Sequence, residues 1–471
     1  MSPLTVMLTE LGKELTRRGH VVEWACESRI PIIKYDLTFE GKTTFLTDFT
    51  KANHETNSSF VDYGHIMFPN YDRDTELGLT RPGRYNQESS KKILKYFDQI
   101  FMSSNPDFVI YENVSNSFAY AAYTAAKKHN KNYIGLIGSR IPGRFEIWPT
   151  PFGIQELIHR EMSSEKKVCD PLTENLIKSW IDEKRPPIPD YMKNNPFSYK
   201  TKYIKHYIDK IKNDPKIIKK LLNPIAREEG RYAIQSPPLI DATLARLKRN
   251  IRRKLTLTQL DKLFTHPQPG EKYLIYPLHY HPESSTSVLS PEFVDEDAVI
   301  KNLAFNLPDG IMLYIKDHPN AAGFKKLSYY KRLYNLPNVR LIHYKHSTKS
   351  LLENSEGVVT LTSTMGFEAL LHEKPVYCLG EAFYTPHKMC IKLTHASELK
   401  KAHETFTKQR PSSSRFHEEN KRFVKAYYIQ THEGQLFTDR RSVTCDTITK
   451  VTNAIESHSN AALHKHPQHT P

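Results

Sequence analysis

Ile311-Met312-Leu313-Tyr314-Ile315, followed at once by Lys316-Asp317-His318-Pro319, reads as a buried strand that ends abruptly in charge. Five apolar residues without alternation are what a strand needs when both of its faces are covered. Pro319 then ends the ladder, because it has no N–H to donate. The same pattern recurs on both sides, with apolar strands predicted at 273–276, 339–342, 358–361 and 376–379. Helical patterns separate them, around 295–305, 325–333, 348–353 and 365–371. This alternation predicts the α/β class and a parallel, doubly wound sheet. Ligands of such sheets sit beyond the carboxyl ends of the strands, so the loops there are where chemistry is expected.

Toward the N-terminus, residues 1–150 give a less complete version of the alternation. Helices are predicted at 4–16, 89–102 and 118–127, and strands at 21–25, 108–111 and 133–137. A second Rossmann-like domain is the expectation, one that would hold an acceptor. The sequence opens on a helix where a wound sheet would start with a strand, so a missing first strand is expected. Residues 151–266 are rich in Lys and helical pattern and are broken at Pro186-Pro187, Pro189, Pro196, Pro215, Pro224 and Pro237-Pro238. They predict a helical connector between the halves. The sheet-forming segment 267–395 is read as a Rossmann-like nucleotide-binding domain, 396–457 as C-terminal helices and 458–471 as a disordered tail. His458, His464, His466 and His469 in that tail are read as solvated, and no metal site is expected.

The chain has 471 residues and a net charge of +15, with 38% hydrophobic and 11% aromatic residues. That composition excludes disordered and fibrous classes. No apolar run approaches the ~20 residues of a membrane span, and no secretory leader is recognised. Cys26, Cys169, Cys378, Cys390 and Cys445 are scattered without a Cys-x-x-Cys pair, which fits a reduced cytoplasmic compartment. The sequons at Asn57 and Asn113 are discounted on that ground. Positive charge concentrates at Arg246, Lys248, Arg249, Arg252, Arg253 and Lys254, with Leu244, Leu247 and Ile251 forming one apolar stripe beneath. Either this helix is packed on its own domain with its basic face in solvent, or it lies on an anionic membrane at the inner face of the plasma membrane. No nucleic-acid-binding motif accompanies the charge, so nucleic acid is not an expected partner.

Several strand-end loops carry groups suited to anions and protons. Lys316 and His318 supply a charge and a hydrogen-bond donor for phosphate oxygens, and Pro319 aims the turn. Thr362, Ser363 and Thr364 place hydroxyls at a helix start, Gly366 leaves room for close approach, and Glu368 lies one turn further on, within reach of ribose hydroxyls. The loop after the first C-terminal strand holds His279, His281 and Glu283 among Ser and Thr residues. In the N-terminal half, Glu112 and Asn113 follow one strand, and Arg140 and Arg144 flank a Pro-Gly turn after the next. Glu112 is nominated as general base, with Glu283 and His281 as competitors, and Asn113, Arg140 and Arg144 as an acceptor clamp. Glu112 as a helix cap and the arginines as bridges between domains remain the alternative.

Tyr276-Pro277-Leu278-His279-Tyr280-His281-Pro282-Glu283, Lys316-Asp317-His318-Pro319, the run from Thr362 to Leu370, Lys374-Pro375-Val376, Gly380 and Phe383-Tyr384 together resemble the capsule polysaccharide biosynthesis family, which includes Kdo transferases. The His-Pro and Ser/Thr elements are also similar to bacterial sialyltransferases and to CDP-glycerol-dependent glycerophosphotransferases. The resemblance implies a GT-B arrangement of two Rossmann-like domains facing a cleft and a metal-independent glycosyltransferase without a resident cofactor. It further implies a CMP-linked sugar donor, with His318 and the 362–364 hydroxyls on its phosphate and Glu368 near the ribose. A lipid-linked or saccharide acceptor completes the expectation. A CDP-glycerol-type polyol-phosphate transferase and a non-catalytic polysaccharide assembly subunit are the rivals.

Overall fold

The computed structural model describes residues 4–52, 87–163, 171–182, 219–220, 222–233, 239–279, 283–318, 321–436 and 443–465. The N-terminal elements are α1 (Leu4–Arg17), β1 (Trp24–Cys26), α2 (Ile30–Tyr35), β2 (Thr43–Phe45), α3 (Leu46–Ala52), α4 (Gln87–Ser104), β3 (Phe108–Glu112), α5 (Ser117–Lys128), β4 (Asn132–Gly138) and β5 (Arg144–Trp148). The connector supplies α6 (Gln155–Ser163), α7 (Pro171–Asp182), α8 (Pro224–Tyr232) and α9 (Leu239–Leu260). Then come β6 (Lys272–Pro277), α10 (Ser284–Ser287), α11 (Glu296–Phe305), β7 (Ile311–Lys316), α12 (Leu327–Tyr334), β8 (Val339–Ile342), α13 (Thr348–Glu353), β9 (Gly357–Thr360), α14 (Thr364–Leu371), β10 (Val376–Cys378) and β11 (Cys390–Lys392). The chain closes with α15 (Leu399–Lys408), α16 (Ser413–Ile429), β12 (His432–Glu433) and α17 (Cys445–Lys465).

The C-terminal sheet has the order β11-β10-β9-β6-β7-β8, and every neighbouring pair is parallel. The chain steps outward from β6 through β7 to β8, then crosses to the other side of β6 and steps outward again through β9, β10 and β11. That reversal puts the topological switch point between β6 and β9, where a doubly wound sheet opens a crevice at its carboxyl edge. Both faces are covered, which is why its strands are apolar without alternation. On one face Tyr273, Ile275, Val358 and Val376 pack with Phe367 of α14, Phe416 and Phe423 of α16 and Trp180 of α7. On the other, Leu274, Leu313, Ile315 and Val359 meet Ile300 and Leu303 of α11, Tyr330 of α12 and Leu399 of α15. Local signals set the helix starts: Asp295 caps α11 by accepting from Ala298 N–H, and Ser363 caps α14 by accepting from Met365 N–H.

The N-terminal half departs from the predicted parallel sheet. β1 and β2 form a separate parallel pair, while the main sheet runs β12-β5-β4-β3. Only β3 and β4 pair parallel there, and β5 joins β4, and β12 joins β5, antiparallel. Neither β5 nor β12 is among the predicted strands. Glu146 interrupts the apolar run of β5, and its carboxylate accepts from the distant Tyr427 hydroxyl at 2.6 Å and, within the same strand, from Trp148 Nε1 at 2.7 Å. Helices α4 and α5 cover one face of this sheet, and α1 and α17 the other.

The segment 396–457, read as one helical unit, is divided between the halves. α15 belongs to the C-terminal sheet, α16 packs on α6, α7 and α14, and β12 with α17 completes the N-terminal sheet, where Arg18 pairs with Glu456 at 2.7 Å. The connector is divided likewise. Buried Glu229 of α8 accepts from Arg29 N–H, the Arg29 guanidinium and the Thr47 hydroxyl, tying α8 to α2 and α3. α9 packs on α12. α17 extends to Lys465, so residues 458–465 of the expected disordered tail are helical; the calls on His466 and His469 lie outside the described residues.

Candidate functional site

His279 occupies the switch point, just beyond β6. Its Nε2 accepts the Thr362 backbone N–H at 3.1 Å, so that nitrogen carries no proton and Nδ1 is the N–H that donates to Glu296 Oε1 at 2.9 Å. Glu296 opens α11 from full burial. Burial by itself would raise its carboxyl, but the Lys325 ammonium at 2.7 Å and the His279 hydrogen bond overcome that and hold it well below the usual carboxylate range. One imidazole therefore locks the β6 loop, the start of α11 and the loop entering α14 into a single unit. His279 stands in the quoted loop but was not nominated; its signal, a His three residues past a strand beside an acidic helix start, becomes readable only when Glu296 and Thr362 are brought to it.

The loop after β9 spends most of its donors on this frame. The Thr362 hydroxyl donates to the Ser285 carbonyl at 2.7 Å, the Ser363 N–H to Thr360 Oγ1 at 3.1 Å, and the Ser363 hydroxyl caps α14. Of the three predicted hydroxyls, only that of Thr364 makes no hydrogen bond among the described residues. The space expected beside Gly366 is already filled. A Cβ there would lie 2.4 Å from the Tyr384 hydroxyl, which donates to the Ser363 carbonyl at 2.6 Å. Gly366 thus admits the Tyr384 ring that supports the helix start, and the expectation of ligand approach at that atom is corrected.

Charges converge at the strand ends. Lys316, the last residue of β7, is buried, donates to the Tyr344 carbonyl at 3.1 Å, and is lowered from an ordinary lysine by that burial. It acts as a fixed charge beneath the surface of the site and not as the freely reaching ammonium predicted. Asp317 is buried against the Tyr330 hydroxyl at 2.6 Å, and burial raises it to about 6. His318 is pushed down to about 4, first by burial and then by the charge of Lys316, so it is a neutral hydrogen-bonding imidazole near neutral pH. Glu368, one helical turn after Thr364, accepts no side-chain hydrogen bond among the described residues. Burial raises it to about 7, against the opposing pull of Lys316 and of Arg140.

Arg140 reaches this site from the other half of the molecule. Its loop follows β4 and is held by Tyr427 of α16, whose hydroxyl donates to Glu146 while accepting from Arg140 N–H at 2.8 Å. The Arg140 guanidinium lies 6.0 Å from the Phe383 ring, which packs on Phe367, Tyr384 and Tyr427. Burial raises Glu146, although Tyr427 and Trp148 donate to it. No pattern in the sequence points to Tyr427, since its partners lie more than 280 positions away.

The remaining nominated residues have structural commitments. The Glu112 carboxylate accepts from the Ser115 hydroxyl at 2.8 Å and from Asn116, which in turn caps α5. Asn113 is buried beside Gly135. Arg144 lies on β5 rather than in a loop, and its guanidinium donates to the Thr431 hydroxyl at 2.6 Å and stacks 4.1 Å from the Tyr428 ring. It bridges β5 to the end of α16, so the paired acceptor clamp reduces to Arg140. Glu283 accepts from the Ser285 hydroxyl at 3.0 Å and precedes α10. His281 and Pro319 lie outside the described residues. Among the described residues, no group of three or more His, Cys, Asp or Glu side chains is arranged to hold a metal ion, and no helix is long and apolar enough to cross a membrane.

Residues 231–432 match the model of the family described as capsule polysaccharide biosynthesis protein. A 72-residue stretch is 38% identical to the capsule polysaccharide modification protein LipA of Neisseria meningitidis serogroup A, covering 15% of this chain and 10% of that protein. The serogroup B protein of the same name matches equally. The matched stretch thus spans about a tenth of the length of these relatives. Among solved structures, the beta Kdo 2,4 transferase of Thermosulfurimonas dismutans KpsC is 16% identical, covering 72% of this chain and 84% of that one at a TM-score of 0.38. Its beta Kdo 2,7 transferase is 12% identical, covering 77% and 89%, at 0.32. The family match contains the whole parallel sheet and every loop at its switch point, and so falls on the segment whose strand-end motifs resemble that family.

Proposed function

We propose that this chain is a glycosyltransferase of surface polysaccharide synthesis, moving a Kdo- or sialic-acid-like sugar from a CMP-linked donor to a saccharide or lipid-linked acceptor. The observation that carries the reading is the meeting of Glu368, Lys316 and Arg140 at the carboxyl edge of a parallel sheet, with Arg140 delivered from the opposite half. A nucleotide phosphate needs positive charge and hydrogen-bond donors. Arg140 and buried Lys316 supply the first, and the Thr364 hydroxyl, neutral His318 and the start of α14 supply the second. These cations take the charge role that a divalent ion plays elsewhere, which supports a metal-independent reaction.

In the transfer, the bond between the anomeric carbon and the donor phosphate breaks with its electron pair going to the phosphate, and a bond to the acceptor oxygen forms. The acceptor proton must go to a base. Glu368 suits that task better than Glu112, because its carboxyl titrates near neutral pH and holds no side-chain hydrogen bond among the described residues. We therefore move the base from Glu112 to Glu368.

Calorimetric titration with CMP, CDP, UDP and GDP, with and without magnesium, tests the reading. The expected result is cytidine-selective, magnesium-independent binding that weakens roughly tenfold or more in His318→Ala, the size of one lost hydrogen bond to a charged group. Selectivity for uridine or guanosine overturns the donor. No binding by the folded protein overturns the transferase reading and favours an assembly subunit.

A further inference from the structure

α9 is mounted with its apolar stripe facing outward. The sequence pattern left two readings open, a stripe packed on its own domain beneath a solvated basic face, and a helix lying on an anionic membrane. In the structure Arg253 is buried, its Nε donates to the Ala322 carbonyl at 2.8 Å, and its guanidinium stacks 4.4 Å from the Phe324 ring. Arg249 stacks on the same ring at 5.0 Å. Thr256 and Leu260 are buried beside Arg253. The loop 321–324 explains the choice: its carbonyls need donors and Phe324 offers an aromatic face, which an arginine satisfies and a leucine does not.

The opposite side of the helix presents Ile240, Leu244, Leu247, Ile251 and Leu255 to solvent. Leu244, Ile251 and Leu255 are 59%, 53% and 62% exposed, where such side chains in a packed helix are near zero. At about 100° per residue these five occupy roughly 80° of the helix circumference, and over fifteen residues the stripe is about 22 Å long. Exposed Lys254 flanks it on one side, and exposed Lys248 and Arg252 on the other.

We propose that this face of α9 lies in the headgroup region of an anionic phospholipid bilayer, with the stripe in the acyl boundary and Lys248 and Lys254 on lipid phosphates. An apolar stripe edged on both sides by basic residues is the arrangement by which helices bind in the plane of a membrane. A second copy of the chain fits poorly. Pairing two such stripes would set lysine rows against lysine rows on chains of charge +15, and the exposed area of the five side chains is only about 450 Å² against the ~800 Å² per partner of stable interfaces. The inner face of the same helix holds the loop that follows His318, so docking would bring the carboxyl end of β7 toward the lipid surface. The inference does not rest on the transferase reading.

The test is sedimentation of the full chain with phosphatidylcholine vesicles, with and without phosphatidylglycerol. Two variants accompany it: Leu244→Ser/Ile251→Ser/Leu255→Ser, which alters only exposed side chains, and Lys248→Glu/Lys254→Glu. The expected result is binding that requires phosphatidylglycerol, falls at least tenfold in each variant, and weakens for the wild type at high salt. Nucleotide affinity should be unchanged in both variants, which separates this outcome from a failure of the site. Absence of binding to the anionic vesicles, or equal binding by the serine variant, overturns the proposal. A dimer that the serine variant converts to monomer, without lipid binding, overturns it in favour of self-association.

Discussion

Glu368→Gln should stabilise the protein at high pH and not at low pH. In the fold the Glu368 carboxyl is raised from an ordinary 4.5 to about 7. The folded state therefore holds this proton more tightly than the unfolded chain does. For such a group stability is complete below the unfolded value and is lost as pH rises through the folded one, because ionising the half-buried carboxyl costs what ionising it in water does not. At roughly 1.4 kcal/mol per pH unit, the loss is about 0.8 kcal/mol by about pH 5 and about 3 kcal/mol by about pH 8. Glutamine keeps the shape and never ionises. The stability difference between Glu368→Gln and wild type should then grow by about 2.5 kcal/mol between those two pH values. If all 471 residues melt together at about 2.1 cal/mol/K each, this is a gain of about 2–3 °C in Tm. Thermal melts of both proteins at both pH values measure it, and every other titrating group cancels in the comparison. A Tm difference that is the same at both pH values would refute the reasoning, since Glu368 would then be ionised as freely as in water. The same substitution should abolish turnover while leaving nucleotide binding within a few fold.

Other perturbations read the frame of the site. Gly366→Ala would place a methyl group 2.4 Å from the Tyr384 hydroxyl, so it should destabilise by about 1–3 kcal/mol and weaken nucleotide binding, both visible by thermal shift with and without CMP; an unchanged Tm would contradict the packing. His279→Ala removes the partner of buried Glu296 and of the Thr362 N–H and should cost about 3–5 kcal/mol in urea denaturation, whereas a cost under about 1 kcal/mol would mean that the β6 and β9 loops are not joined through this ring. Tyr427→Phe frees Arg140 N–H and leaves Glu146 with Trp148 alone, so turnover should fall several-fold, at a stability cost of about 1–3 kcal/mol; full activity would show that the Tyr427 hydroxyl does not position the Arg140 loop. Because His318 is already neutral, the part of nucleotide affinity lost in His318→Ala should be the same at about pH 6 and about pH 8, and a contribution that doubles on acidification would mean that the ring is charged when bound.

The C-terminal half was legible because its signals are local. A strand buried on both faces must be apolar throughout, so the apolar runs at 273–276, 311–315 and 358–361 announce β6, β7 and β9 almost residue for residue, and Asp295, Ser347 and Ser363 mark the starts of α11, α13 and α14. The N-terminal half was legible only where it follows the same rule, in α1, α4, β3, α5 and β4. β5 escaped because Glu146 looks like a surface residue until Tyr427 arrives from α16, and β12 is two residues long and exists as a strand only by pairing with β5.

Residue types at strand ends, the alternation of strands and helices and the concentration of charge on α9 are properties of contiguous sequence, and contiguous sequence sufficed to find them. Which of those residues are free for chemistry depends on partners far away in the chain. Glu112 and Arg144 have the right charge in plausible places, yet Ser115 and Asn116 take the one and Thr431 and Tyr428 the other. Glu368 was a helix-start carboxylate like many others until burial raised it and the charges of Lys316 and Arg140, from far away in the chain, came to act on it. The orientation of α9 is the clearest case: hydrophobic periodicity gives the angle between its apolar and basic faces but not which one turns inward, and that was settled by the carbonyls of residues 322 and 324 and the ring of Phe324.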